Sequence, residues 1–281
     1  MNAGQTKDTK MAQEKWLIDG AKVIDVENIR KLKVALIAGQ VDIVGHDEPT
    51  ARIEVHSVSG KELRVSIDGD TLEIDHPQLR WDNFIDVFKS FRGSARADVS
   101  IMVPRDIALK FGVVSAGALI SGLTEDASIS TVSGDVVVDG VYGDLNLNAV
   151  SGEIAVRNHY GNISARTISG DITANGEVMK FTSDGVSGEV FLDFKGSPDE
   201  IRVNTVSGNI TARLEAGHGA QYKINTVSGR LQLDDSEISG VHGSYTSKYG
   251  TLDRSWLEFR ANTVSGNVAV MHAPVSESAM S

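Results

Sequence analysis

The sequence predicts an all-β chain: a single-chain β-solenoid (β-helix) of about eight 18–21-residue rungs, opened by a short-stranded N-terminal β region with one amphipathic helix. Three observations predict it. An apolar-Ser-Gly phrase recurs at Val132-Ser133-Gly134, Val150-Ser151-Gly152, Ile168-Ser169-Gly170, Val186-Ser187-Gly188, Val206-Ser207-Gly208, Val227-Ser228-Gly229 and Val264-Ser265-Gly266. The step is 18 from Gly134 to Gly152, Gly170 and Gly188, then 20 to Gly208, 21 to Gly229 and 37 to Gly266. A period near 20 residues marks units that cannot bury a core alone and must stack on one another. Second, aligning the copies puts apolar residues in register. Third, the text upstream of the copies alternates apolar and polar residues between turn signals, as short strands do.

Taken in order, Met1–Lys15 is polar and reads as a flexible tail, and 16–104 reads as the N-terminal β region. Val23 to Glu27 alternates as a strand. Leu32–Ala38 and Gln40–Val44, parted by Gly39, are expected to form a hairpin, and Arg52–His56 a further strand. Glu62–Ile67 and Thr71–Asp75 flank Asp68-Gly69-Asp70, the strongest hairpin signal in the chain, because Asp-Gly supplies the positive φ such turns need. In Trp81, Phe84, Ile85, Phe88 and Phe91 the apolar spacing changes to three and four, which suits a short helix near 82–91. Asp82 would cap its start and Gly93 its end. This helix either covers the open end of the solenoid or offers Trp81, Phe84, Phe88, Phe91 and Arg92 to a protein partner or a membrane surface. Asp98–Val103 returns to strand before Pro104.

The repeats are expected over 105–272, with a disordered tail at 273–281. With the apolar residue before Ser-Gly as position 0, position −5 holds Leu109, Ala127, Leu145, Ile163, Phe181, Ile201, Tyr222 and Phe259. Position −3 holds Phe111, Ile129, Leu147, Ala165, Ser183, Val203, Ile224 and Ala261. Positions +4 and +6 are apolar throughout, from Ala118 and Ile120 to Val268 and Val270. Each rung is thus two period-2 strands joined at a corner, and all five columns, position 0 included, are expected inside. The corner Gly is expected to take a left-handed conformation, and its Ser to tighten the turn locally. Stacked about 4.8 Å apart, eight rungs make a rod roughly 40 Å long. A second corner falls near Tyr142-Gly143-Asp144 and Tyr160-Gly161-Asn162. The stretch Asp234–Arg254 reads as a loop or irregular hairpin capping the C-terminal end, followed by one more rung.

Bulk numbers narrow the function. Net charge is −11 with a pI near 5.1, which argues against nucleic acid, since phosphate binding needs a positive footprint. There is no cysteine, so disulfides and thiolate metal sites are excluded. No apolar run of about 18 residues exists to span a membrane, and Met1–Glu14 lacks the apolar core of a signal peptide. The expected location is cytoplasmic, with only peripheral membrane contact left open.

Chemistry is sparse. Position +3 stacks Asp135, Glu153, Asp171 and Glu189, a column that would repel itself or attract a cation such as calcium, against the plainer reading of a solvated face. The seven histidines show no zinc spacing, and a ladder of serines is not one activated nucleophile. Asn148, Asn204, Asn225 and Asn262 at position −2 fit structural amide ladders. No enzyme and no cofactor is expected.

With these residues laid out, the chain resembles a bacterial family of β-strand-repeat proteins of unknown function, labelled candidate adhesins and similar to GIN head domains. The phrase that carries the resemblance is Thr-Val-Ser-Gly-Asp-Val at Thr131–Val136, kept less fully at Thr205–Ile210, Thr226–Leu231 and Thr263–Val268. It covers residues 16–272. The resemblance implies no catalytic residues, and it implies a sensing or scaffolding role, because members sit beside envelope-stress regulators. Three functions follow as expectations: a binding scaffold for a protein partner, a surface adhesin, and a carbohydrate-active β-helix enzyme.

Overall fold

Alternating apolar residues give strands wherever the structure describes the chain. A computed structural model describes residues 14–77, 95–238, 243–252 and 255–273. Among the described residues every regular element is a strand, and the helix expected near 82–91 lies outside them.

The upstream strands are β1 (Glu14–Ile18), β2 (Lys22–Glu27), β3 (Lys31–Leu36), β4 (Ala38–His46), β5 (Thr50–Ser59), β6 (Leu63–Asp68), β7 (Thr71–Asp75) and β8 (Arg96–Pro104). The repeats supply β9 (Ala108–Val113), β10 (Gly117–Ser121), β11 (Ala127–Thr131), β12 (Val136–Asp139), β13 (Leu145–Ala149), β14 (Ile154–Thr167), β15 (Ile172–Asp184), β16 (Val190–Phe194), β17 (Glu200–Asn204) and β18 (Ile210–Glu215). Last come β19 (Gly219–Thr226), β20 (Leu231–Leu233), β21 (Ser236–Ile238), β22 (Gly243–Tyr249), β23 (Trp256–Asn262) and β24 (Val268–Ala273).

These strands stack into two ladders that meet at the Ser-Gly corner, a β-solenoid-like arrangement. Before the corner the spatial order is β1–β6–β7–β3–β9–β11–β13–β14–β15–β17–β23–β19–β22. After it the order is β2–β5–β8–β4–β10–β12–β14–β15–β16–β18–β24–β20–β21. The middle of each ladder is parallel and in register, so equivalent residues lie above one another. Strands β14 and β15 are long enough to belong to both ladders, bending at Asn158 (φ 49) and Gly161 in β14 and at Gly176 in β15.

Positions −5, −3, +4 and +6 face inward and are buried in every copy, forming one core continuous from Ile18 to Val270. Each buried Val, Ile, Leu or Phe contributes roughly 1.5–3 kcal/mol before chain entropy is charged. Ser183, the polar residue of position −3, is buried at 1% exposure, stacked between Ala165 and Val203.

The structure corrects three expectations. The first concerns position 0, whose side chains are not part of this core. On a strand where −5 and −3 point inward, the next inward residue is −1, and position 0 must point out. Position −1 (Thr131, Thr167, Thr205, Thr226 and Thr263 among others) is accordingly buried. Second, β3 and β4 do not pair with each other as a hairpin. They meet at a rung corner and pair in parallel with β9 and β10, while Glu62–Asp75 does fold as the antiparallel hairpin β6–β7 around Gly69 (φ 62).

The third correction concerns order. Rungs near both ends do not stack in the sequence in which they are made. Strands β23 and β24 slot between β17/β18 and β19/β20, so the last rung of the chain is not the last in space. At the other end β3 and β4 slot between β9/β10 and β7/β8. The segment after Gly229 makes this insertion feasible. Strands β21 and β22 pair antiparallel with β20 and β19 and cover their outer edges, the capping role expected of that stretch.

Candidate functional site: the Ser-Gly corner and its exposed ridge

Each corner is built from four consecutive residues with different tasks. The Thr at −1 points inward and brackets the turn: the Thr167 hydroxyl donates to the Gly170 carbonyl and accepts from the Gly170 N–H, both at 2.8 Å. Thr226 and Thr263 accept the N–H of Gly229 and Gly266 at 2.9 and 2.8 Å. The Ser at +1 does not act within its own turn. Its hydroxyl reaches the position-0 carbonyl of the neighbouring rung, Ser133 to Val114 at 3.1 Å, Ser151 to Val132 at 3.0 Å and Ser169 to Val150 at 3.1 Å.

The Gly at +2 is needed for a different reason from the one expected. None of these glycines has a positive φ; those belong to turns elsewhere, such as Gly143 (φ 94) and Gly161 (φ 139) at the second corner. A Cβ on Gly152 would sit 2.2 Å from the Gly134 carbonyl oxygen, on Gly188 1.9 Å from that of Gly170, and on Gly266 1.9 Å from that of Gly208. The rungs approach so closely here that only hydrogen fits.

The residue at 0 is left outside this scaffold. Its N-terminal members are covered: Val114 and Val132 form a second small cluster with Ala35, Ile37 and Ala95, and Val150 packs against it. From Ile168 onward the column is about half exposed. Ile168 is 53% exposed, Val186, Val206 and Val264 47% each, and Val227 59%. In space they run Ile168–Val186–Val206–Val264–Val227, an aliphatic ridge along one corner of the rod. Two grooves adjoin it. One of about 380 Å3 is lined by Val132, Val150 and Ile168 with Lys110 and Arg166. The other, about 350 Å3, lies at the far end between Asn204, Val227, Ser244 and Val264.

Polar columns flank the ridge and are spent on the stack itself. An amide ladder runs Asp184–Asn204–Asn262–Asn225, with Asn204, Asn262 and Asn225 each donating to the residue before it, at 2.7, 2.6 and 2.6 Å. Its order repeats the insertion of β23. Asp135, Glu153, Asp171 and Glu189 stack in one exposed column, with hydrogen bonds running along it. Asp135 accepts the Glu153 N–H at 3.1 Å, Asp171 accepts the Glu189 N–H at 2.8 Å, and Asn209 donates to Glu189 at 3.0 Å. Among the described residues no three His, Asp or Glu side chains gather as a metal site. Trp81, Phe84, Phe88, Phe91 and Arg92 lie outside the described residues.

One polar constellation has no counterpart in the sequence reading. Asp234, held at φ 50 in the β20–β21 turn, accepts the His272 N–H at 2.8 Å and lies 3.0 Å from its Nδ1. His272 Nε2 is 3.1 Å from the Tyr222 hydroxyl, and the Tyr249 ring stacks on the imidazole at 3.5 Å. Burial holds the Tyr222 phenol well above its usual range. With Tyr222 only 3% exposed, this arrangement fastens the inserted β24 to β19, β20 and β22 rather than offering a nucleophile. The partners are 38 and 50 residues from His272, a distance that no local pattern spans.

The fold and its repeated phrase agree with one family model, Toastrack DUF4097, which matches residues 29–271. The chain belongs to the Toastrack DUF4097 family. No curated protein sequence matches it. Among solved structures it is similar to a candidate lipid-binding protein from Parabacteroides distasonis, 13% identical, covering 91% of this chain and 97% of that one, with a TM-score of 0.52. A candidate adhesin from the same organism is 14% identical over 90% and 98%, TM-score 0.48. A candidate adhesin from Bacteroides fragilis is 11% identical over 89% and 97%, TM-score 0.43. At 13% identity the likeness to the first of these is one of fold alone.

Proposed function

We propose that this Toastrack protein is a non-enzymatic binding scaffold that docks a protein partner along the corner ridge. The observation that carries the reading is the row Ile168, Val186, Val206 and Val264, each about half exposed and in register. Singly exposed aliphatics are ordinary on any surface, whereas a contiguous apolar row marks a contact face. The surrounding polar columns are already engaged between rungs, so the ridge offers shape and apolar surface rather than reactive groups. A cytoplasmic setting at the inner face of the envelope, with a part in envelope-stress signalling, belongs to this proposal.

The test is capture from native bacterial lysate by wild type and by a Val206→Asp, Val264→Asp double variant, neighbours in space. A partner held by the wild type and lost by the variant supports the reading; equal capture by both, or turnover of a glycan substrate, overturns it. A second reading, surface adhesin, draws on the names of the Parabacteroides and Bacteroides structures. Cell fractionation separates it, since an adhesin is found outside the cell.

A further inference from the structure

We infer that the far half of the ridge, Val206, Val264 and Val227, receives an acidic amphipathic helix of the protein partner. This deepens the docking reading of the ridge, on which it rests, by giving the partner's contact segment a chemistry. The first support is a row of cations. Register places Arg202 opposite Arg260 and Arg260 opposite Lys223, on three adjacent strands and at outward positions. Like charges directly opposite across strands are destabilising, and the carboxylates beside them offset this only in part. Those are Glu200 and Glu258, one column further from the ridge. Glu200 lies 2.6 Å from Lys180, and Glu258 pairs with Arg260. Arg202 feels Glu200 only beyond ion-pair range, and Lys223 has no ion pair among the described residues.

The second support is the full set of charges on both flanks. On the other side of the ridge, position +3 of the same rungs holds Asn209, Asn267 and Arg230. Asn209 accepts the Asn267 N–H at 3.1 Å, and Asn267 accepts the Arg230 N–H at 3.0 Å. Lys248, opposite Gln221 on the outermost strand, adds one more exposed cation. The far half of the ridge thus lies among Arg202, Arg260, Lys223, Arg230 and Lys248, against the two carboxylates of Glu200 and Glu258. The near half differs, since Ile168 and Val186 lie beside Asp171, Asp184 and Glu189. On a chain of net charge −11 the far half is a local reversal of sign, and an acidic segment is what it attracts.

The third support is fit. Along each strand the cation row at −4 stands about 13 Å from the ridge at 0, and an α-helix with its side chains is about 10–12 Å across. A helix laid along the rod therefore spans the two rows, apolar face on the valines and carboxylate face on the cations. Between them lies the groove of about 350 Å3, floored by Asn204, Asn262 and Asn225. Both rows repeat at about 4.8 Å, near the about 5–6 Å that separates helix residues three and four apart. Alternate residues of an extended segment repeat at about 6.5 Å and fall out of step within three rungs.

The experiment uses the full chain and two dye-labelled, helix-forming peptides of about five turns. Both carry leucine at every third or fourth position; one has glutamate beside the leucine stripe and the other glutamine. Fluorescence anisotropy should show the glutamate peptide binding about tenfold more tightly, an advantage that shrinks as salt rises. Arg202→Glu with Lys223→Glu should abolish that advantage. Lys22→Glu with Lys61→Glu, the same charge change away from the ridge, should leave it intact, and circular dichroism melts show whether each variant keeps the fold. Equal binding of the two peptides, or binding of neither, overturns the proposal. Phosphatidylglycerol vesicles held in place of the glutamate peptide overturn it too, assigning the row to a lipid headgroup. A mass that doubles with concentration and returns to monomer in Arg202→Glu, Lys223→Glu overturns it in favour of a second copy. The ridge is tested separately by Val206→Ser with Val264→Ser, which should weaken both peptides alike. If it weakens neither while the glutamate advantage persists, the docking reading of the ridge fails and the cation row stands.

Discussion

At the scale of the residue, Ser183, His76 and His159 bury polar atoms that find no hydrogen-bond partner among the described residues. The Ser183 hydroxyl is enclosed between Ala165 and Val203 without a hydrogen bond among the described residues. Burying an unsatisfied hydroxyl costs on the order of 1–3 kcal/mol. Ser183→Ala is therefore expected to stabilise the chain by about 1 kcal/mol, read as a higher urea midpoint with an unchanged slope. His76 accepts the Ile37 N–H at Nδ1, while its Nε2 meets no partner among the described residues. Burial lowers its pKa from 6.5 to about 4. Between those values the unfolded chain binds the extra proton, so His76's stabilisation is complete above pH 6.5 and is lost as pH falls through 4. At about 1.4 kcal/mol per pKa unit the loss is about 3–4 kcal/mol, and His159, lowered by burial too, acts in the same direction. Denaturant melts at both ends of that window should show a smaller pH-dependent loss in His76→Asn, which keeps an acceptor for Ile37.

At the scale of the element, the Ser-Gly corner holds neighbouring rungs closer together than any side chain permits. Gly188→Ala would place a methyl 1.9 Å from the Gly170 carbonyl oxygen, a backbone atom that cannot swing aside. The two rungs must part, at a cost of about 3 kcal/mol or more. Thr167→Val keeps shape but drops the two bonds to Gly170 and leaves that N–H unpaired, for roughly 1–3 kcal/mol. Both costs are read from urea melts, and Gly188→Ala should be the larger. The columns of Leu145, Ile163 and Phe181 were legible because a period of 18 and an alternation of two are both local patterns. The ridge was legible by parity as well, since Thr167 and Ile168 cannot both face inward, yet apolarity alone put Ile168 in the core. What made glycine obligatory was not legible. Close approach between Gly170 and Gly188 is a property of two rungs, and a single turn carries no mark of it. The aromatic stretch from Trp81 to Phe91 has a clear period but lies outside the described residues.

At the scale of the whole molecule, the inserted ends set this rod apart from a stack made in simple order. In a linear solenoid each rung touches only its sequence neighbours, so the chain frays one rung at a time from its tips. Here the outermost C-terminal rung, β19 and β20, rests on β23 and β24 from later in the chain, which themselves rest on β17 and β18. The outermost rung is tied in at three further points, through Asp234, Tyr222 and Tyr249 around His272. Removing the last rung therefore takes away an inner layer, not a tip. A chain ended after Gly250 is expected to lose amide protection across 219–238 altogether, although those residues are still present, while 127–184 keeps its protection. Hydrogen exchange resolved by peptide checks it. Protection of 219–238 that persists would mean β19 and β20 can settle directly on β17 and β18, and the insertion would then carry no share of the rod's stability. The loss expected instead follows from register: the 20-residue step from Gly188 to Gly208 stacks those two glycines directly, whereas Gly208 and Gly229 contact through Gly266.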